Sequence, residues 1–274
     1  MNIEAKVIAD SVRNGARITS LQLQYPRFIH GEFLTHRAFS RNSSSSRAIP
    51  VAKLIEQVRT APAEPLHWGR NRPGMQADGE LDAETAAHAR EVWYTAAAAA
   101  ADSAEKLAAL GVHKQVANRI LEPFQLMHTI VTATEWDNFF ALRIHSDAQP
   151  EMQELASKMK AALDESLPVQ TGYHLPYIET EAWEKALQTF DGSRESAYHF
   201  LAPVSAARCA RVSYLNHDQS RPDFVKDRQL ADKLREARHL SPFEHQAVAQ
   251  ASPCSVSANL KGWCAYRTGL ETAC

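Results

Sequence analysis

The sequence predicts an α+β fold, an antiparallel sheet flanked by helices, on three observations. Residues 3–9 and 17–24 alternate polar and apolar side chains with period two, and Asn14-Gly15 between them supplies the positive φ angles of a tight hairpin. A third strand-like run, His128 to Thr134, follows far along the chain. Between and beyond these runs apolar residues recur at helical spacing. Hydrophobic residues make up 45% of the 274, enough to bury one core, so residues 1–274 are read as a single domain.

The elements follow in order. After the hairpin, Phe28, Ile29, Phe33 and Leu34 give 27–37 a helical pattern, and Val51, Leu54, Ile55 and Val58 repeat it. Between these two patterns lies Phe33 to Pro50, where His36, Arg37, Arg41 and Arg47 surround Asn42 and the hydroxyls of Ser43, Ser44, Ser45 and Ser46, with no carboxylate between Glu32 and Glu56. Guanidinium forks bind phosphate in pairs, and hydroxyls and backbone N–H groups fill the remaining oxygens. A Ser tetrad beside Arg also suits a flexible linker or a phosphorylation site, so two readings stand; the flanking buried helices favour an anion site. Residues 61–80, broken by Pro62, Pro65, Gly69, Pro73, Gly74 and Gly79, are either a surface loop or a lid over a planar ligand, given Trp68, Arg70 and Arg72.

A long helix over 81–110, rich in alanine from Ala96 to Ala101, reads as a packing spine ended by Gly111, and a second helix over 113–121 places Arg119 near its end. Further helices are expected over 135–143 with Thr134 as its cap, over 151–167 and over 224–238. Residues 168–176 are a connector, and 193–214 hold Arg208 and Arg211. The tail from Gln246 offers a short strand, a break at Pro253, and Gly262 to Arg267, repeating the strand, proline and helix order of 21–37 as a degenerate second copy.

Lys plus Arg total 30 against 32 acids, so no global basic field recruits long nucleic acid, whereas a mononucleotide needs only local charge. No apolar run reaches membrane length and no charged-then-apolar leader opens the chain, which implies a soluble cytoplasmic protein. Cys209, Cys254, Cys264 and Cys274 form no CxxC pair and no zinc spacing; they are expected to be reduced, buried thiols, with no metal bound. Pro253-Cys254 is open to reading as a nucleophile, but Ser252 and Ser255 supply no base.

Several blocks together carry a resemblance. His36-Arg37, seven residues, Ser45 and then Arg47; Asn118-Arg119-Ile120-Leu121-Glu122-Pro123; Asn138 to Arg143 followed by Asp147 to Glu151; Ala210-Arg211-Val212-Ser213; and His239-Leu240-Ser241-Pro242-Phe243-Glu244-His245 resemble the signatures of the flavin-dependent thymidylate synthases, the ThyX family. In that family the Pro-Phe-Glu-His block precedes the His-Arg block, whereas here it follows, so the resemblance implies a circularly permuted ThyX-like fold. It implies methylation of dUMP to dTMP with FAD, methylenetetrahydrofolate and NADPH, a pyrimidine deoxynucleoside monophosphate as partner, and a homotetramer with sites between subunits.

By the same resemblance Arg143, Ser45 and His239 are catalytic. Thr35, His36, Arg37, Asn42, Ser43, Asn138, Ser241, Glu244 and His245 hold flavin or folate. Glu32, Ser43, Ser44, Ser45, Ser46, Arg47, Arg119 and Arg143 hold the nucleotide. Three positions depart from the family: Thr35 stands for Arg, Glu32 for Gln and Ser43 for Glu. Arg267 is read either as a replacement for the guanidinium missing at Thr35 or as a surface arginine. Glu32 leaves dCMP open as a substrate and hydroxymethylation open as an outcome, and a flavin- or nucleotide-binding protein without turnover is the alternative from another class.

Overall fold

The computed structural model describes residues 3–73, 79–212 and 222–272. Its first hairpin is the one the period-two pattern predicts: β1 (Glu4–Arg13) pairs antiparallel with β2 (Ala16–Pro26) from Glu4 opposite Gln24 to Arg13 opposite Ala16. Asn14 and Gly15 turn the chain with φ of 51° and 81°. A short helix α1 (His30–Phe33) follows, then β3 (Ser40–Ser43), α2 (Val51–Thr60), α3 (Ala83–Ala109) and α4 (Lys114–Ala117). β4 (Leu126–Ala133), α5 (Asp137–Arg143) and α6 (Pro150–Glu165) complete the first half. Pairing orders the main sheet β3-β4-β2-β1-β5, with the short β5 (Val169–Gln170) parallel to β1 and every other pair antiparallel.

Side chains on one face of this sheet, Leu21, Leu23, Tyr25, Met127 and Val131, pack on Met152, Leu155, Ala156 and Met159 of α6. Each large buried side chain there contributes about 1.5–3 kcal/mol relative to exposure. On the opposite face Ile130 meets Tyr177, Cys209 and Val212, which brings in the second half of the chain. That half comprises β6 (Tyr173–His174), α7 (Thr180–Thr189), α8 (Arg194–Arg211), α9 (Phe224–Glu236), β7 (Ala247–Ala249), β8 (Val256–Ser257), β9 (Leu260–Lys261), β10 (Trp263–Ala265) and α10 (Tyr266–Thr272). β10, β7 and β6 form a second sheet under Ile18 and Trp263, and β8 and β9 a small hairpin. Gly262, at φ 75°, sits where the two ends of the chain meet: a Cβ there would stand 2.3 Å from the Cβ of Ala16 and 3.0 Å from the carbonyl of Pro253. No helix among the described residues is long and apolar enough to cross a membrane.

Several expectations change. The pattern over 27–37 forms a 3-10 turn and one turn of helix ending at Phe33, because the chain then bends so that Ser40 to Ser43 can pair with β4 as an edge strand. Of the alanine run in α3, Ala97 and Ala101 are buried, with Ala104 one turn on, so the packing spine is one stripe through which α2 approaches. Thr134 does not cap α5; its hydroxyl accepts from the Lys261 amide at 3.0 Å. The connector holds β5 and β6, and α7 went unpredicted. The tail has the expected short strand, β7, ahead of Pro253, but residues 256–265 then add the strands β8, β9 and β10, so the helix α10 starts only at Tyr266. Cys209 is buried, but Cys264 is partly exposed and Cys254 exposed; Cys274, Ser213 and Gly74 to Gln76 lie outside the described residues.

Candidate active site

Arg143 is the residue around which the candidate site is built. It is the last residue of α5, and its partners come from α1 and the turn that follows α1. Its Nε donates to Nε2 of His36 at 2.8 Å, its Nη1 bonds the carboxylate of Glu32, and its Nη2 lies 3.5 Å from the Thr35 hydroxyl. The bond from Arg143 requires a lone pair on Nε2, so the His36 ring is neutral with its proton on Nδ1. Burial lowers the His36 pKa, and the charges of Arg143 and Arg41 lower it further, which keeps the ring in that state. Phe139 holds the imidazole from the side, with the ring planes at 89° and the centroids 4.7 Å apart.

Two clefts meet at Arg143. The first, of about 710 Å³, is lined by the rings of Phe39, Trp136 and Phe139 together with His36, Arg37 and Asn138. Thr35 and Arg143 close one side of it. The second, of about 840 Å³, is lined by Glu32, Arg143 and Trp93, by Pro65, His67 and Gly79, and by residues 146–151. Of the segment expected to be a surface loop or a lid, Pro65, His67 and Gly79 line this cleft.

The serine tetrad is largely turned inward. Ser43 Oγ is 2.9 Å from Thr129 Oγ1 in a chain that runs on through the Tyr25 hydroxyl to His30 Nδ1, at 2.8 Å per step. Ser44 Oγ accepts from the His128 amide at 3.2 Å, and the buried Ser46 donates to Glu122 at 3.3 Å. Ser45 is the exposed member, and with Arg47, Ala48, His113 and Gln115 it lines a separate hollow of about 290 Å³. Arg119 bonds the same Glu122 oxygen as Ser46, at 2.7 Å, which brings it beside the tetrad but commits it to a carboxylate shared with Arg27. The Arg47 hollow shares no lining residue with the two Arg143 clefts.

Alternation along β3 divides two residues expected to share a ligand. Ser43 faces Thr129, whereas Asn42 points through the other face and donates to the Cys209 carbonyl at 3.4 Å. The segment from His239 to His245 scatters similarly. Residues 241–244 form a 3-10 turn beside β3, and Glu244 bonds Arg267. His239 and Ser241 are exposed and line neither cleft. His245 is fully buried, with Nδ1 2.8 Å from the Thr132 hydroxyl, so it cannot touch a ligand in either cleft. Arg208 and Arg211 both bond the buried Asp227, at 2.9 and 2.6 Å, and serve packing.

Sequence reasoning missed the aromatic lining, Phe39, Trp136 and Phe139, since aromatic residues in these segments look the same whether they fill a core or line a cleft. It also missed Tyr25, His30 and Thr129, which are distant in sequence and joined only by the sheet.

Against known proteins, residues 10–169 match the model of the family described as thymidylate synthase complementing protein. The 193–245 blocks lie beyond that match. Among solved structures, the UMP/dUMP methylase PolB from Streptomyces cacaoi bound with 5-Br dUMP is similar at 19% identity over 54% of this chain and 67% of that chain, with a TM-score of 0.46. The same methylase bound with 5-Br UMP is similar at 14% identity over 60% of this chain and 89% of that chain, with a TM-score of 0.48. No curated protein matches the sequence.

Proposed function

Because the chain belongs to the thymidylate synthase complementing protein family, we propose that it methylates dUMP at C5 to give dTMP, using FAD, methylenetetrahydrofolate and NADPH. The observation that carries this reading is Arg143, fixed by Glu32 and His36 where two clefts meet. A pyrimidine attacks through C5 only if negative charge developing on its ring is stabilised, and a guanidinium held in place before the reaction does this without reorganising. The first cleft fits a flavin: three aromatic side chains suit a planar ring system, and Arg37, His36 and Asn138 offer charge and hydrogen bonds to its polar edge and phosphates. When bound, a reduced flavin supplies the hydride that completes a methyl group from the transferred one-carbon unit. Neutral His36 orients Arg143 and keeps its own Nδ1–H free for donation.

Among the described residues no cysteine lines either cleft, and burial pushes the Cys209 thiol pKa up, so activation falls to Arg143 and not to a thiolate. Arg47 and Ser45 are proposed to take the monophosphate. Because their hollow is distinct from the Arg143 clefts, we expect one nucleotide to be gripped by two copies of the chain in a homo-oligomer, and light scattering of the purified protein checks this. The permuted order of motifs is supported by the contact of residues 241–244 with β3, which sets the late block beside the early one.

One observation favours a second reading: the Glu32 carboxylate beside Arg143 can accept from a 4-amino group, which suits dCMP and leaves hydroxymethylation open. The test is incubation with FAD, NADPH, methylenetetrahydrofolate and either dUMP or dCMP, followed by mass analysis. A gain of one CH2 on dUMP supports the first reading. A hydroxymethyl product, or turnover of dCMP alone, selects the second, and bound flavin with no NADPH oxidation would leave a binding protein.

A further inference from the structure

The ladder between β3 and β4 stops at Ser40 opposite Thr132. Beyond that pair the chain on each side becomes a lip of the first cleft, residues 35–39 ahead of β3 and residues 134–139 after β4. Phe39 and Trp136 come one from each lip, with ring centroids 4.8 Å apart, so a shift of either lip moves the aromatic lining. The 35–39 lip has only long bonds of its own: the His36 amide reaches the Phe33 carbonyl, and the Phe39 amide the His36 carbonyl, at 3.4 Å each.

Both lips are bonded from outside by one element, the β8–β9 hairpin. Asn259 Nδ2 donates to the Ala38 carbonyl at 3.3 Å and to Oγ of the buried Ser40 at 3.0 Å. The Lys261 amide donates to the Thr134 hydroxyl at 3.0 Å, and its Nζ to the Glu135 carboxylate at 3.0 Å. Ala38 and Thr134 each stand two residues past the last ladder pair, so the hairpin takes over where the ladder ends. The Lys261–Glu135 pair is largely exposed and adds little, which leaves the Asn259 side chain and the Lys261 backbone as the ties. The build of the hairpin suits this task. Val256 pairs with Lys261 and Ser257 with Leu260, leaving Ala258 and Asn259 as a two-residue turn. Such turns require a positive φ at their first central residue, where glycine is usual, and Ala258 takes it at 52°. The base of the hairpin is fixed to the main sheet: the Gly262 amide donates to the Ser255 carbonyl at 2.7 Å, and the Trp263 indole N–H to the Ala16 carbonyl at 3.2 Å.

From these contacts we propose that Asn259 is a positioning residue for the first cleft. With the Lys261 backbone it ties the two lips together beyond the end of the β3–β4 ladder, and so fixes the spacing of Phe39 and Trp136. The lining of this cleft comes entirely from residues before 144, and the family match ends at 169, so the tie is a contribution of the second half of the chain. Its consequence for a cofactor rests on the flavin reading of the cleft given above; the tie itself does not.

The test is amide hydrogen exchange of the full-length protein, read peptide by peptide without ligand, beside titration with FAD followed by flavin absorption. It compares the parent with Asn259→Ala, Asn259→Asp and Ala258→Gly. Losing the bonds of one side chain shifts a local equilibrium by up to about tenfold. Asn259→Ala should therefore speed exchange over residues 36–39 and 134–136 by about tenfold, leave β1 and β2 at parent rates, and raise the FAD dissociation constant by about fivefold. Asn259→Asp keeps an acceptor for Ser40 but cannot donate to the Ala38 carbonyl, so it should behave like Asn259→Ala. Ala258→Gly takes the same turn without strain and keeps Asn259, so both readouts should match the parent. Parent-like exchange at either lip in Asn259→Ala, faster exchange spread through β1 and β2, or loosened lips with FAD affinity unchanged would each overturn the proposal. A parent that binds no FAD, with both lips loosened in Asn259→Ala, would leave the tie standing and refute the flavin reading instead.

Discussion

Two hydrogen-bonded clusters built from the same kinds of side chain differ in what they can do. One runs from Ser11 through His174, Ser20 and Thr132 to His245, with 3.0 Å from Ser11 to His174, 2.8 Å from His174 to Ser20 and 2.8 Å from Thr132 to His245. Every member is buried, so it links the two sheets and meets no ligand. The other joins Glu32, Thr35, His36 and Arg143 and opens on two clefts. Burial favours neutral imidazoles in both, but only the open cluster contains an ion pair, Arg143 with Glu32, whose partial exposure spares it most of the desolvation cost of a buried pair. Access and charge, not residue type, separate a site from a core here.

The largest expected effect comes from breaking the open cluster. Arg143→Ala should raise the barrier on kcat/KM by on the order of 3 kcal/mol, roughly a hundredfold or more, if the proposed role of its preorganised charge at the pyrimidine ring holds. Flavin should stay bound, since Phe39, Trp136 and Phe139 remain, and the visible absorption of the purified variant reads this directly. Loss of flavin with nucleotide binding intact would reverse the assignment of Arg143.

Breaking the sealed cluster should act on stability instead. Thr132→Val removes a hydroxyl shared by Ser20 and His245; Ser20 keeps His174, but His245 is stranded inside the protein, at a cost of about 2 kcal/mol in urea denaturation. His245 Nε2 already lacks a partner, so no spare bond compensates. The turnover of the remaining folded enzyme should match the parent; a fall in kcat at unchanged stability would mean that the buried chain reaches the chemistry.

Acid sharpens the same comparison. Burial lowers His174 and His245 to about 3, and burial with Arg27 and Arg41 lowers His30 to about 4, all below the unfolded value near 6.5. Below pH ~6.5 the unfolded chain therefore binds more protons than the folded one. Stability is complete above that pH and falls as pH drops towards 4 and then 3, by about 1.4 kcal/mol per pH unit for each histidine. His174→Gln should flatten the slope by one such contribution in a urea series from pH 7 to 4.5; an unchanged slope would place the acid sensitivity elsewhere.

How much of this was legible depended on how local the signal was. Asn14-Gly15 and the period-two flanks specify the first hairpin because the turn and alternation are contained in the same short stretch. The motif around His36 and Arg143 could be listed as one set from resemblance, and those two side chains do meet, at 2.8 Å. What sequence could not settle was which way each residue of a motif faces. Asn42 and Ser43 are neighbours on opposite faces of an edge strand, and Glu244 and His245 are neighbours with one half-exposed and one fully buried. A recognised block fixes residues in sequence, whereas the sheet pleat and the turn decide which of them see a ligand.

The smallest effect tests the arginine read as a substitute at Thr35. Arg267 bonds Glu244 and, at 2.7 Å, Glu271, with its side chain 35% exposed, and it lines neither cleft. Pairs this exposed contribute under about 1 kcal/mol, so Arg267→Ala should lower Tm by about 2 °C and leave flavin retention unchanged. Arg41 lines neither cleft either, but its Nη1 donates to the Phe33 carbonyl at 3.1 Å and its charge acts on His36, which lines the first cleft. Arg41→Ala should therefore weaken flavin retention several-fold where Arg267→Ala does not. Were the two variants to release flavin alike, by tenfold or more, Glu244 and Arg267 would have to be counted with His36 in the cofactor site, and the division between the open cluster and the C-terminal packing would have to move.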